Sequence, residues 1–84
     1  MNPHAPSPRI HHFRVFRGLR WWYPVIWLEQ TDGPQLLPHR VPFSEVDEAL
    51  KHACRMSNGE PCEVTVEWQG GVRDAFAFGP RQAA

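Results

Sequence analysis

The sequence predicts an α+β fold in which a small antiparallel sheet carries one helix on one face, in the order ββαββ. Two extended runs in the first half and two in the second are rich in β-forming residues, and several alternate apolar with polar positions. Between these pairs, one segment repeats apolar residues at helical spacing. A single helix can cover one face of such a sheet and bury its inward residues.

Length and composition favour one domain over residues 11–80. A chain of 84 residues supports a single core, since it buries only about 60% of the surface that it exposes when unfolded. A hydrophobic content of 42% is sufficient for that core. Residues 1–10 are rich in proline and predict a disordered lead-in, and residues 81–84 predict a short tail.

Gly18 separates the two strands predicted for the first half of the chain and supplies their turn. The strand before it alternates in hydrophobicity, with Phe13 and Val15 on one side. The run after it, residues 21–30, is dense in β-forming residues. Because proline has no backbone N–H to donate to a neighbouring strand, we expect either that this strand starts after Pro24 or that Pro24 lies at an edge of the sheet or at a bulge.

The next segment is rich in turn residues. Asp32 and Gly33 predict a turn. Leu36 and Leu37 begin a short run that proline interrupts, and whether a third strand forms over residues 35–42 is left open.

A helix is predicted to follow Ser44, whose hydroxyl can accept a backbone N–H at the first turn. Acidic residues directly after it complement the helix dipole. Asn58 and Gly59 end the helix, and Pro61 prevents its continuation. The expected apolar face of the helix consists of Val46, Ala49, Leu50, Ala53 and Met56.

The last two strands are predicted to form a hairpin around a turn at residues 69–71. The first of them alternates cleanly, and its inward side is expected to carry Cys62, Val64, Val66 and Trp68. The returning strand is expected to place on one face Val72, Phe76 and Phe78.

Four segments of the second half form a recognisable set of motifs: residues 43–50, 63–66, 71–74 and 78–79. With them this half of the chain resembles a class of small bacterial domains of unknown function. Those domains combine a W-x-V strand, a helix start of the form F-x-[ST]-x-x-E-A, and a closing hairpin with E-V-x-V and G-x-[IV]-R. The resemblance implies a compact α+β fold and carries over no catalytic residue.

Charge is divided unequally between the two halves of a chain whose formal total is zero. Residues 1–40 contain five arginines and two acidic residues, Glu29 and Asp32, which gives this half a formal net charge of +3. Residues 41–84 contain four basic and seven acidic residues, which gives a formal net charge of −3. The neutral total argues against a general polyanion binder. The division favours pairing between complementary halves of two copies, although a bias toward arginine in a GC-rich bacterial genome explains it equally well.

The sequence predicts a cytoplasmic protein without membrane segments. Its longest apolar run near the tryptophans, Val25–Leu28, is far shorter than the ~20 residues of a bilayer helix. The start of the chain lacks the apolar stretch of a secretory signal. Cys54 and Cys62 are interpreted as buried free thiols, and a bridge between them is left open.

No residue pattern indicates catalysis, a metal site or a cofactor. The five histidines form no H-x-x-x-H pair, and the two cysteines are eight positions apart rather than in a C-x-x-C motif. On a helix, His52 points away from Cys54, so the two do not form a nucleophile and base. Gly70 and Gly71 lie in a hairpin rather than before a helix, which excludes a phosphate loop. We therefore predict a binding protein and not an enzyme.

The run after Gly18 carries large apolar residues on both of its sides, and one helix cannot cover both faces of a sheet. The leading hypothesis is a protein-interaction module that forms a homodimer or binds a small protein partner, since a symmetric dimer readily covers such a surface. The candidate interface residues are Trp21, Trp22, Tyr23, Val25 and Trp27.

The alternative hypothesis is binding of single-stranded nucleic acid, in which cations follow phosphates and aromatic rings stack on bases. The candidate residues for this surface are Arg14, Arg17, Arg20 and Phe16. The competing structural interpretation is that these aromatics belong to the core, while the arginines face solvent or pair with Glu63 and Glu67 across the sheet.

Overall fold

The computed structural model describes residues 10–33 and 39–79. Residues 1–9 of the predicted lead-in, the segment at Leu36 and Leu37, and the predicted tail lie outside the described residues. The elements are β1 (His11–Arg20), β2 (Tyr23–Gln30), β3 (Arg40–Phe43), α1 (Val46–Met56), β4 (Cys62–Glu67) and β5 (Arg73–Phe78).

The five strands form one sheet in the order β3-β2-β1-β4-β5. The α+β class is confirmed, but the order ββαββ and the purely antiparallel sheet are wrong. A third strand, β3, pairs with the outer side of β2, and β4 then lies parallel to β1. The physical reason is the crossover: from β3 the chain passes through α1 over β2 and β1, and so reaches the far side of β1 running in the same direction.

The first turn lies later than Gly18, so that prediction is wrong. β1 continues through Gly18 to Arg20, and Trp21 and Trp22 make the turn. Of the two predictions for Pro24, the edge position is the one observed. Pro24 pairs with β1 on one side only, because β3 pairs with β2 only over residues 26–29.

The core lies between α1 and one face of the sheet. On α1, Ala49 and Ala53 are fully buried, and their small side chains let the helix approach the strands closely. The strand side of the core consists of Phe13, Val15, Ile26, Leu28, Cys62, Val64 and Val66.

The start of α1 differs from the prediction that Ser44 caps it. The residue before the first turn is Glu45, in extended conformation, and no described side chain caps the helix with a hydrogen bond. The predicted end is confirmed, since Asn58 and Gly59 both have left-handed backbone, with φ of 53° and 83°. The hydroxyl of Ser57 donates a hydrogen bond to the carbonyl of Ala53 at 2.8 Å and helps to close the last turn.

β5 lies at the edge of the sheet, beyond the part that α1 mainly covers. Phe76 and Phe78 share a face as predicted and stack with centroids 6.3 Å apart, but Phe76 is exposed. Val72 precedes the strand and is also exposed. The prediction that Trp68 points into the core is wrong, because its indole is exposed and donates to Asp74 at 2.5 Å.

Candidate interaction surface

The sheet face opposite α1 is called the open face, because none of the described elements packs on it. Strand alternation places on it every second residue of the central strands. Its aromatic and charged side chains on β1, β2, β3 and β4 are His12, Arg14, Phe16, Arg20, Tyr23, Trp27, Glu29, Arg40, Glu63 and Glu67.

A charge network occupies the middle of the open face. Arg14 donates through Nε to Glu67, and Arg40 donates to Glu29 at 3.1 Å. Both guanidinium groups also lie over the ring of Phe16. The Cζ atom of Arg14 is 4.2 Å from the ring centroid, and that of Arg40 is 5.4 Å from it. The hydrogen bond from Arg14 holds the pKa of Glu67 below its usual value, and the same bond raises the pKa of Arg14. The network therefore satisfies its own charges.

Three of the four residues of the predicted nucleic-acid surface, Arg14, Phe16 and Arg17, line one cleft, and Arg20 is not part of its described lining. Arg14 is paired with Glu67, as the competing structural interpretation predicts, and Phe16 is half-buried. Arg17 follows Val15 on the α1 side of β1, whereas Arg20 follows Phe16 on the open face. The strand therefore directs the four side chains to two faces, although three of them border the same cleft.

Residues 17–25 form what we call the arm, the part of the β1–β2 hairpin that extends beyond its neighbours. β4 accompanies β1 only as far as Phe16, and β3 accompanies β2 only from Ile26. The two strands of the arm therefore pair only with each other among the described residues. A two-stranded ribbon on its own is at best marginally stable in water.

The tip of the arm exposes large apolar side chains. Trp21 and Trp22 are 75% and 87% exposed, and Leu19 beside them is 65% exposed. Trp21 and Tyr23 meet edge to face with their centroids 5.9 Å apart, and the Arg20 guanidinium lies 5.5 Å from the Trp21 ring. The tip of the arm thus gathers three of the five predicted interface residues, Trp21, Trp22 and Tyr23, at one exposed point.

The other two predicted interface residues lie further along the open face. Val25 and Trp27 are half-buried. The Trp27 indole lies over Gly18, where an added Cβ would be 2.8 Å from Nε1. Trp27 therefore packs within the hairpin rather than projecting from it, and it supports the base of the arm.

The backbone of Trp21 is in the left-handed region, with φ of 61°. Two-residue hairpin turns that need this conformation usually place Gly, Asn or Asp there. A bulky residue at positive φ stores about 1–3 kcal/mol of strain, and such strain concentrates at functional sites. Trp21 therefore combines a strained backbone with an exposed ring, and neither property stabilises the isolated chain.

Outside the arm, several of the described cysteine and histidine side chains make contacts of their own. Cys54 and Cys62 are free thiols, and burial raises the pKa of Cys54, followed by the effect of Cys62 beside it. His11 contacts Glu60 at 2.9 Å, and His12 contacts Glu63 at 3.3 Å. Among the described residues, no three histidine, cysteine or acidic side chains are grouped so that they could hold a metal ion.

Sequence reasoning missed the arm because it placed the turn at Gly18. Leu19, the second-to-last residue of β1, was therefore not recognised as part of an exposed surface. The structure reveals the arm through the lengths of the two strands, since β1 has ten residues and β4 only six. A strand that is longer than its neighbours must extend beyond them.

Comparisons with protein families, with curated proteins and with solved structures find no match to this chain. The resemblance to small bacterial domains therefore stays a prediction. In the part of the chain that the structure describes, no helix has the length and apolar character needed to cross a bilayer.

Proposed function

We propose that this protein is a non-catalytic interaction module that associates with a second copy of itself through the tip of the arm. The observation that carries the proposal is the exposure of Trp21 and Trp22 at the end of a ribbon beside which no other described strand lies. Exposed aromatic rings are enriched in the centres of protein interfaces, where they supply most of the binding energy.

The strain at Trp21 supports a binding role for its side chain. A glycine or asparagine would fit the left-handed backbone better. Since the exposed ring contributes little to folding of one copy, its contribution is expected in a complex.

Charge complementarity supports a second copy as the partner. The arm carries Arg17 and Arg20 and no acidic residue. The start of α1 is acidic and exposed, with Glu45, Asp47 and Glu48. In a two-fold dimer each arm can contact the start of α1 of the other copy, so that this contact between arm and helix is made twice.

The test is sedimentation velocity of the full chain at micromolar concentration. The double variant Trp21→Ser, Trp22→Ser is expected to sediment as a monomer while the wild-type chain forms dimers. The matched control is Val72→Ser, which removes an exposed apolar side chain outside the arm and is expected to keep the dimer. A wild-type chain that is monomeric throughout this range would contradict the proposal, as would a double variant that still dimerises.

A second candidate function is binding of single-stranded nucleic acid by the arm. The observation that favours it is the Arg20 guanidinium 5.5 Å from the Trp21 ring, with the exposed ring of Trp22 beside it. Phosphate contacts would make the affinity for an oligonucleotide fall steeply with salt. Absence of binding at low salt removes this candidate.

A further inference from the structure

The early end of β4 leaves a gap beside β1, which we call the notch. It lies between Arg17 and Leu19 on β1 and the turn that starts at Trp68 and Gln69. A cleft of about 550 Å³ opens from it, within the range of specific binding sites, and its lining includes Arg14 from the open face and Leu19 from the opposite side of β1. A second hollow of about 230 Å³ opens on the α1 face and shares four of the same lining residues. The free space therefore flanks the edge of β1 on both faces.

The backbone of β1 presents unused hydrogen-bonding groups to the notch. Peptide groups of alternate residues in a strand point to the same edge. The N–H of His11 donates toward β4, to Pro61 at 3.0 Å, whereas the carbonyl of His12 accepts from Thr31 on the β2 side. By this alternation the N–H and carbonyl of Leu19 face the notch, where no described strand lies beside them. An added strand would pair with these groups.

The lining of the notch combines basic and apolar side chains. The larger cleft is lined by Arg14 and Arg73 on the open face and by Arg17 on the α1 side of β1, with Glu67 as the acidic residue of its described lining. Because Arg14 is held by Glu67, Arg17 and Arg73 remain to bind carboxylates. The hollow on the α1 face is lined by Val15, Ile26, Val46 and Val66, together with Arg17 and Glu67. Since successive side chains of a strand point to opposite faces, an added strand that alternates acidic and apolar residues can direct the acidic ones toward Arg73 on the open face and the apolar ones toward the hollow.

We propose that the notch binds an extended, acidic segment of a partner protein, which adds to β1 as a strand and alternates acidic with apolar side chains. This site is distinct from the tip of the arm, and it does not depend on self-association. A second copy does not supply the segment, because β4, the described strand with this pattern, is already held between β1 and β5.

The probe is a blocked peptide with the sequence of residues 63–67, Glu-Val-Thr-Val-Glu, since β1 already pairs with this sequence in β4. Titration at low salt, followed by backbone NMR, is expected to shift the amides of Arg17, Leu19, Trp68 and Arg73. The same peptide with lysine in place of both glutamates is expected to bind at least about fivefold more weakly. A peptide methylated on alternate backbone nitrogens tests the strand pairing and is expected not to bind.

Variants of the full chain locate the site. Arg73→Glu is expected to weaken binding of the peptide at least about fivefold. Lys51→Glu, a matched charge reversal on the exposed side of α1, is expected to leave it unchanged. The double variant Trp21→Ser, Trp22→Ser is expected to keep peptide binding. The proposal that the notch binds a peptide and the proposal that the arm mediates self-association can therefore fail independently of each other.

Three outcomes overturn the proposal. The first is absence of shifts around the notch at low salt, and the second is equal binding of the acidic and lysine peptides. The third is loss of self-association in Arg73→Glu together with displacement of the dimer by the peptide, which would make a second copy the occupant. In each case folding of the variant is checked by its amide spectrum, so that a lost interaction is separated from a lost fold.

Discussion

At the scale of single residues, the open face shows how aromatic and charged side chains can satisfy one another without a ligand. The ring of Phe16 makes cation–π contacts with the guanidinium groups of Arg14 and Arg40, and each of those groups also contacts a carboxylate. Exposed ion pairs of this kind are individually worth little, about 0–1 kcal/mol, because water screens them. Their effect is mainly to fix the side chains of Arg14 and Arg40 in place.

Glu67 makes this network sensitive to acid. Since the folded-state pKa of Glu67 is lowered by Arg14, the folded chain binds fewer protons than the unfolded chain. The stabilisation is therefore complete above the unfolded pKa of about 4.3 and is lost as the pH falls through the lower, folded value. We expect Glu67→Gln to lower the free energy of unfolding by up to about 1 kcal/mol at neutral pH, and by much less in acid.

Urea unfolding at neutral pH and at a pH below the folded pKa measures this difference. Glu63→Gln is the matched control, because Glu63 lies on the same face of β4 with a side chain 56% exposed. Its effect is expected to be smaller at neutral pH. An equal loss in the two variants would mean that the pairing of Glu67 with Arg14 has no stabilising effect.

At the scale of elements, the hairpin of β1 and β2 depends on contacts that the sequence pattern does not show. A glycine after an alternating run is typical of a turn, yet Gly18 continues the strand, and its missing Cβ leaves room for the indole of Trp27 on the neighbouring strand. The alternation of residues between faces was predictable, since it follows from the period of two. The position of the turn was not, because it depends on a cross-strand contact between residues nine positions apart.

Gly18→Ala tests this contact. The added Cβ would lie 2.8 Å from Nε1 of Trp27, so the half-buried indole must move. We expect the free energy of unfolding to fall by about 1–2 kcal/mol, despite the small gain from a less flexible unfolded chain. Leu19→Ala is the control and should change stability by less than about 0.5 kcal/mol, because Leu19 is exposed. Equal stability of Gly18→Ala and the wild type in urea would show that the indole is free to move aside.

At the scale of the whole molecule, the class of the fold and the identity of most core residues follow from hydrophobic periodicity. The strand order does not, because periodicity identifies faces of strands and carries no information on which edges meet. β3 was left open since Pro42 interrupts it, and an edge strand tolerates proline that a central strand would not. The aromatic interface residues were predictable, because the run that contains them has more apolar side chains than one helix can cover. That they are concentrated on the arm was not predictable, because it depends on where β4 stops pairing with β1.

The same topology predicts an uneven stability along β1. Residues 13–16 pair with strands on both sides, but the arm pairs only with itself among the described residues. Amides such as those of Val15 and Val64 should therefore exchange with solvent only on global unfolding, while amides of the arm open locally at little cost in free energy. Hydrogen exchange followed by NMR in dilute solution measures both groups.

Concentration then separates a free arm from one that binds a second copy. If copies associate through Trp21 and Trp22, exchange of the arm amides should slow as the protein concentration rises through the dimer dissociation constant, because binding stabilises the closed form. The amides of Val15 and Val64 change together with global stability and serve as the internal reference. In the double variant Trp21→Ser, Trp22→Ser, exchange of the arm is expected to be independent of concentration. Slowing that persists in this variant would place the contact between copies elsewhere on the molecule, for example at the exposed edge of β5.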